Sequence, residues 1–393
     1  MATLRGSPVG HWERSLEGYE TFVPAPLPRG LELDSALVYL LDRASRAVSL
    51  LAGIGETLPN PYLLVRPFIR REAVLSSRIE GTEASLSDLV IYEATEERRD
   101  QGGDTREVAN YVQALEHGLA RLSELPLSVR LMNEMHARLL EGVRGEDKMP
   151  GQLRTRQVWI GEQGTSVEEA RFVPPPPSAV PDLLTDLERF LNEDVQMPPL
   201  VQAALMHYQF EAIHPYTDGN GRIGRLLIVL FLCAKDVLST PLLYLSAYFD
   251  RLRDDYYDQL LRVSETGEWQ PWLRFFLRGV ELQARDAAAR SRRVRHLHDQ
   301  YRERLRGMRS SNAHLLLDHL FMEPATTAPY AAQLLKVTQP AARNILERLT
   351  DLGILKVFGG AYTRPRVYIA SELLHEIERP LIDESGEQLP LLP

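Results

Sequence analysis

The chain has 393 residues, 44% of them hydrophobic, a formal net charge of −9 and one cysteine, Cys233. That length supports two or three domains with a sizeable core. The lone cysteine, set in an apolar run, excludes a disulfide framework, and the acidic balance excludes a global attraction to nucleic acid. The N-terminus MATLRGSPVGHWERS lacks the apolar stretch of a signal peptide, and the longest apolar run, 226–234, is too short for a bilayer. A soluble, cytoplasmic protein with no membrane contact is expected.

The first thirty residues read as irregular, because TFVPAPLPRG carries three prolines and a glycine. Helical spacing begins near Leu31, with Asp34 as a start and Gly53 as a stop. The next helix is RPFIRREAVLSSRIEG, ending at Gly81, and another starts near Ser85. DTREVANYVQALEHGLARLSEL and LSVRLMNEMHARLLEGV continue the helical pattern. It breaks at RTRQVWIG, where Val158, Trp159 and Ile160 suit a short strand. With ARFVPPPP this segment reads as a β-hairpin laid on a helical body and closed by prolines 174–177. LVQAALMHYQFEAI then places Val201, Leu205, Tyr208 and Ala212 on one helix face. His207 in that helix reads as a hydrogen-bonded core residue. After a glycine-rich stretch, RLLIVLFLCAKDVL reads as a buried helix, and helices continue to about residue 309.

Residues 310–378 differ. NAHLLLDHLF is a helix, PYAAQLLKVTQPAARNILERLTDLGIL reads as helix, tight turn, helix, and ILKVF-GGAYTRP-RVYIA as a hairpin turning at Gly359-Gly360. Three helices and a two-stranded wing resemble a winged helix-turn-helix domain. The tail 379–393 reads as frayed.

The glycine-rich stretch is HPYTDGNGRIGR, residues 214–225. Gly219-Asn220-Gly221-Arg222-Ile223-Gly224 formally matches a dinucleotide fingerprint. That fingerprint needs a preceding strand and an acid about twenty residues on. Here a helix precedes, and the nearest downstream acid, Asp236, is too close. The composition suits a phosphate cradle at a helix N-terminus instead. Glycines turn successive N–H groups toward an anion, and the helix dipole adds positive potential. Arg222 and Arg225, three apart, reach the same side of the first turn and suit a ligand with several phosphates. Asp218 is a hard oxygen ligand for Mg²⁺, and His214 is the proton acceptor.

This stretch closely resembles the motif HPFx[D/E]GNGRxxR of the Fic (filamentation induced by cAMP) family, with Tyr216 where phenylalanine is usual. The resemblance runs through most of residues 15–280, including PGQLRTRQVWIG, FVPPPP and DDYYDQL. It implies a mainly α fold: a Fic helical bundle with a small β-hairpin flap, here followed by the winged domain. It also implies transfer of AMP from ATP to a hydroxyl of a protein substrate. On that resemblance His214 is the general base for a Ser, Thr or Tyr hydroxyl, and Asp218 holds Mg²⁺ between the α- and β-phosphates. Gly219, Asn220 and Gly221 line the anion hole, with Asn220 on the α-phosphate. Arg222 meets the β-phosphate and Arg225 the γ-phosphate, with Ile223 and Gly224 between them in the nucleotide-binding stretch. Tyr256 and Tyr257 match a tyrosine pair near the nucleotide, and packing on a helix face is an equal reading. Val158, Trp159, Ile160 and Gly161 match the flap, whose strand edge would hold an extended target segment. Arg154 is expected to tie the flap base.

Glu80 closes the last turn of its helix, where the negative end of the dipole disfavours a carboxylate. With Ser76 four residues back it resembles the family's inhibitory motif [S/T]xxxE[G/N]. The implied partner of Glu80 is Arg225, in the place of the γ-phosphate. In some relatives the same glutamate supports removal of AMP. Family members often dimerise, so the resemblance leaves a homodimer open.

The reading divides the chain into an N-terminal helical region (1–110, inhibitory helix 67–81), a Fic core (111–280), a basic linker helix (281–309), the winged domain (310–378) and a tail (379–393). Residues 290–309 hold eight arginines against Asp299 and Glu303. Arg343 and Arg348 on the expected recognition helix, with Lys356, Arg364 and Arg366 on the wing, are the residue types that phosphate contacts need. A nucleotide-sensing, DNA-binding regulator is therefore the alternative to an autoinhibited AMP transferase.

Overall fold

The computed structural model describes residues 3–57, 60–95, 103–161, 164–308, 310–358 and 366–379. Three short antiparallel strands come first: β1 (Thr3–Ser7), β2 (Gly10–Arg14) and β3 (Glu20–Pro24), in the order β1-β2-β3. The irregular reading of the first thirty residues is corrected here. The three prolines of TFVPAPLPRG begin at Pro24, where β3 ends, so they stop the sheet without preventing it. Trp12 and Phe22 of this sheet form an aromatic cluster with Phe172, which anchors the sheet beside the flap.

Helices follow: α1 (Ser35–Glu56), α2 (Tyr62–Ile79), α3 (Leu86–Ala94), α4 (Asp104–Arg121) and α5 (Val129–Leu139). Side-chain caps explain several starts. Asp34 accepts from the Leu37 N–H, Ser128 accepts from Leu131, and Ser85 closes a capping box with Asp88. Gly53 does not stop α1, which runs three residues further, and α2 starts before Pro67 and accommodates it in its second turn.

After the flap come α6 (Val180–Asn192), α7 (Pro199–Ile213), α8 (Asn220–Ala234), α9 (Ser246–Arg251), α10 (Arg253–Thr266) and α11 (Trp269–Arg304). The α7 helix is buried all round, more than its one expected face. Its two glutamines find backbone acceptors: Gln202 donates to the Met197 carbonyl and Gln209 to the Ala25 carbonyl. The α7 and α8 helices pack together at the centre, with α2, α4 and α5 against α8. Residue 281, where a linker helix was expected to begin, lies inside α11. That helix stays partly buried as far as Tyr301, and its buried Arg290 is held by Asp286.

The C-terminal segment runs α12 (Ser311–Met322), β4 (Ala325–Thr327), α13 (Ala328–Leu335), α14 (Gln339–Asp351), β5 (Lys356–Phe358), β6 (Val367–Ile369) and α15 (Ser371–Glu378). Its sheet has the order β4-β6-β5, so β4 and α15 are additions to the sequence reading. The expected Gly359-Gly360 turn and Arg364 lie outside the described residues, as does the tail beyond Arg379. The α12 helix packs on α2, where Arg66 pairs with Glu323 at 2.7 Å and Arg70 donates to the Met322 carbonyl at 3.1 Å. No helix among the described residues is long and apolar enough to cross a membrane.

Candidate active site

Residues 214–219 turn the chain from the end of α7 into the start of α8. His214 closes α7 in the left-handed region (φ 49°), an uncommon conformation for a non-glycine residue. Arg154 braces it. Its Nε donates to the His214 carbonyl at 2.8 Å, its backbone N–H to Pro215, and its guanidinium also reaches the Pro175 carbonyl. Arg154 therefore ties the flap base to the turn.

Asn220 locks the same turn. Its Oδ1 accepts from the Tyr216 N–H and its Nδ2 donates to the Tyr216 carbonyl, both at 2.8 Å. Both ends of its amide are thus held by the loop. Tyr216 stacks on His136 at 3.8 Å between centroids and donates its hydroxyl to Asn133 Oδ1. The hydroxyl that sets it apart from phenylalanine therefore has a partner. His136 accepts from the Gly151 N–H through Nδ1, so Nε2 donates to the Asp218 carbonyl. Nothing in the local sequence pointed to His136, which sits 82 residues from Asp218.

Gly219 (φ 77°) precedes α8, and no side chain caps that helix. The first N–H groups of α8 are thus available to an anion. The Glu80 carboxylate lies beside this first turn: a Cβ on Gly221 would sit 2.3 Å from Glu80 Oε1. Glu80 is badly placed at the end of α2 but well placed at the start of α8. Its Oε1 accepts from Arg225 Nη2 at 2.7 Å, while Arg225 Nε donates to the Ser76 hydroxyl at 2.8 Å. Burial pushes the Glu80 carboxyl up, yet Arg225, Arg222 and His214 outweigh it, and the net shift is downward.

The two motif arginines part company, contrary to the shared side expected from their spacing. Arg225 lines a cavity of about 1030 Å³ together with Glu80, His214, Trp159, Tyr256 and Tyr257. Arg222 is absent from the described wall and points toward Glu107 Oε2 (3.3 Å) and Asp218 Oδ1 (3.5 Å). Burial, then Arg154, lower the His214 ring to about 4, so it is neutral near pH 7.

A family model described as the Fic/DOC family N-terminal region matches residues 38–120, and one described as the Fic/DOC family matches residues 126–232. Between residues 38 and 232 the chain thus matches the Fic/DOC family. It is 31% identical over 157 residues to a protein adenylyltransferase of Caenorhabditis briggsae, an alignment covering 39% of this chain and 27% of that one. It is 28% identical over 185 residues to a probable protein adenylyltransferase of Aquifex aeolicus, covering 47% and 54%. The chain thus spans 27% to 54% of the length of these relatives. In fold it is similar to a Fic family protein from Desulfovibrio desulfuricans (TM-score 0.55, 22% identity, 86% of this chain and 97% of that one). It is also similar to a Fic-domain signaling protein from Bacteroides thetaiotaomicron (TM-score 0.51, 19% identity, 64% and 96%).

Other positions on this Fic site separate into wall and scaffold. His207 is a core histidine: Nδ1 meets the Gly224 carbonyl at 3.2 Å and Nε2 meets the Tyr256 hydroxyl at 2.8 Å. Tyr256 therefore spends its hydroxyl on packing. Tyr257 is the more open wall residue, with the Arg171 and Arg253 guanidinium groups about 6 Å from its ring centre. Among the described residues the expected hairpin flap is held by one antiparallel bridge, Ile160 with Phe172. The next pair would set Val158 against Pro174, which has no N–H to give, and Gln157 Nε2 donates to the Pro174 carbonyl instead. Trp159 and Gly161 line the cavity and Trp159 is 44% exposed, whereas Val158 is not on the wall.

Glu211, one turn before His214, was missed. Its Oε1 is buried without a partner, and a Cβ on Gly224 would lie 2.3 Å from it. Burial raises this carboxyl to about 8. Gly224 is thus needed for close approach of Glu211, a requirement with no dinucleotide behind it.

Proposed function

We propose that this chain transfers AMP from ATP to a Ser, Thr or Tyr hydroxyl of a protein and that Glu80 restrains the reaction. The observation that carries the reading is Glu80 lying beside Gly221 in the first turn of α8 while accepting from Arg225. Those are the places that a nucleotide's phosphates need. Neutral His214 at the cavity wall takes the hydroxyl proton as the target oxygen bonds to the α-phosphorus. The bond from that phosphorus to its bridging oxygen breaks, and pyrophosphate leaves with the electron pair. Catalysis is then positioning plus charge stabilisation by the α8 start and Arg225. The exposed Trp159 edge of the flap is where an extended target segment would lie.

Asp218 suits Mg²⁺. Its side chain is 36% exposed, and its Oδ1 accepts from the Gly219 N–H while Oδ2 has no hydrogen bond to the described residues. No cluster of three ligating side chains exists among the described residues. One carboxylate completed by substrate phosphates and water is the usual Mg²⁺ arrangement. The bound ion would offset phosphate charge.

The test is α-labelled ATP with the Glu80→Gly chain. Labelling should rise about ten- to a hundredfold over the unsubstituted chain, the worth of one charged hydrogen-bonded contact. Adding His214→Ala should cut it by about 10²–10⁴ with ATP still bound. A Glu80→Gly chain that binds ATP and labels nothing would overturn the reading. Removal of AMP, with Glu80 aligning water, is the reverse activity to assay on labelled product.

A second reading, DNA binding by the C-terminal segment, is favoured by one feature. Arg343 and Arg348 on α14 and Lys356 on β5 are exposed and have no ion-pair partner among the described residues. A salt-dependent DNA shift lost in Arg343→Ala/Arg348→Ala supports it, and its absence removes it.

A further inference from the structure

The reaction above gives Glu107 no role. This α4 residue is 2% exposed, so the fold has taken its carboxylate out of water. Its Oε2 accepts from two donors: Arg222 Nη1 at 3.3 Å and the Thr82 hydroxyl at 3.2 Å. Its Oε1 lies 3.5 Å from Arg144 Nε. Thr82 comes two residues after Glu80, and the next N–H, of Glu83, donates to Asp104 Oδ2, also on α4, at 2.8 Å. The α4 helix thus holds the segment that carries Glu80 at two points. One of those points is the same oxygen that holds Arg222.

Arg222 is 1% exposed, and its Nε is buried with no hydrogen-bond partner among the described residues. A guanidinium this deep cannot leave Glu107 without stranding two buried charges. It stays, and Glu107 sets the plane in which its remaining donors face Asp218. We propose that Glu107 is a positioning residue that fixes Arg222 and, through Thr82, couples the posture of Arg222 to the seating of Glu80. A phosphate that engages the remaining donors of Arg222 in place strains the shared oxygen and loosens Thr82. Loss of Thr82's bond, in turn, loosens Glu80 from Arg225.

The proposal rests on the AMP-transfer reading, so ATP binding is measured separately from labelling. Both are compared in the unsubstituted chain, Thr82→Val, Glu80→Gly and the double variant. Thr82→Val removes one hydrogen bond and keeps the side-chain shape. With Glu80 present it should tighten ATP binding about two- to tenfold and raise labelling by a similar factor. In the Glu80→Gly background it should change neither. Glu107→Gln in that background should weaken ATP binding about tenfold, because the neutral amide holds Arg222 less firmly. Equal effects of Thr82→Val in both backgrounds, or ATP binding indifferent to Glu107→Gln, would overturn the coupling. A Glu80→Gly chain that binds ATP without labelling overturns AMP transfer, and the binding ratios alone then decide the coupling.

Discussion

Arg222 and Arg225 stand one helical turn apart on α8, and each meets a carboxylate from the N-terminal helices, yet the two pairs are built differently. Arg225 meets Glu80, which ends α2 and keeps 30% of its side chain accessible through the cavity. Arg222 meets Glu107, which is inside α4 and 3% accessible. A carboxylate with access to water can be exchanged for another anion at little desolvation cost, while a sealed one cannot. The same chemical pair is therefore open to exchange at one arginine, an occupant, and sealed at the other, a mount.

The largest effect expected from this contrast is on stability. Arg222→Ala leaves the sealed Glu107 with only the Thr82 hydroxyl and the Arg144 guanidinium at 3.5 Å, and should cost about 3–5 kcal/mol in urea unfolding. Arg225→Ala lets Glu80 turn to water and should cost about 1–2 kcal/mol, mostly through the lost Ser76 contacts. Equal costs would erase the distinction between mount and occupant.

The sequence made some of this legible, for physical reasons. Asp34 and Ser85 announce helix starts because a cap acts within three residues. The stretch from His214 to Arg225 is contiguous, and the Ser76–Glu80 spacing is one helical turn, so both stand out along the chain. The partner of Arg222 is 115 residues away, and no local pattern marks it. The same holds for His136, whose two hydrogen bonds span loops that meet only after folding. The flap misled through its β-branched run, because the missing donor lies on the opposite arm, at Pro174. The N-terminal strands were masked by the prolines that end them.

A third carboxylate on α2 sharpens the contrast. Glu72 is 2% exposed, accepts from the Ser246 and Tyr111 hydroxyls, and has no ion-pair partner among the described residues. Burial pushes it up from 4.5 to about 7, with Ser246 and Arg225 opposing. The folded state therefore binds this proton more tightly than the unfolded chain does. The stability it brings is present below pH 4.5 and lost as pH rises through about 7. Glu72→Gln should match the unsubstituted chain at pH 4.5 and exceed it at pH 8 by up to roughly 3 kcal/mol, read by thermal unfolding. A gap that does not widen with pH would mean that Glu72 is compensated in the fold as Glu107 is.

The smallest predicted change concerns what displaces Glu80. Its carboxyl is held below 4.5 once burial is outweighed by Arg225, Arg222 and His214. A depressed carboxylate lends stability that is present above its unfolded value and lost only as pH falls through the lower, folded one. His214, at about 4, likewise stays neutral above pH 5. Dividing labelling by Glu80→Gly into labelling by the unsubstituted chain cancels the titrations that both share. That ratio should stay flat from pH 6.5 to pH 5 at fixed ATP and rise with ATP concentration at fixed pH. A ratio that climbs as the solution is acidified would make the Glu80 pair a proton-released one. A ratio that responds to ATP alone makes phosphate the agent, as an accessible carboxylate on a buried arginine requires.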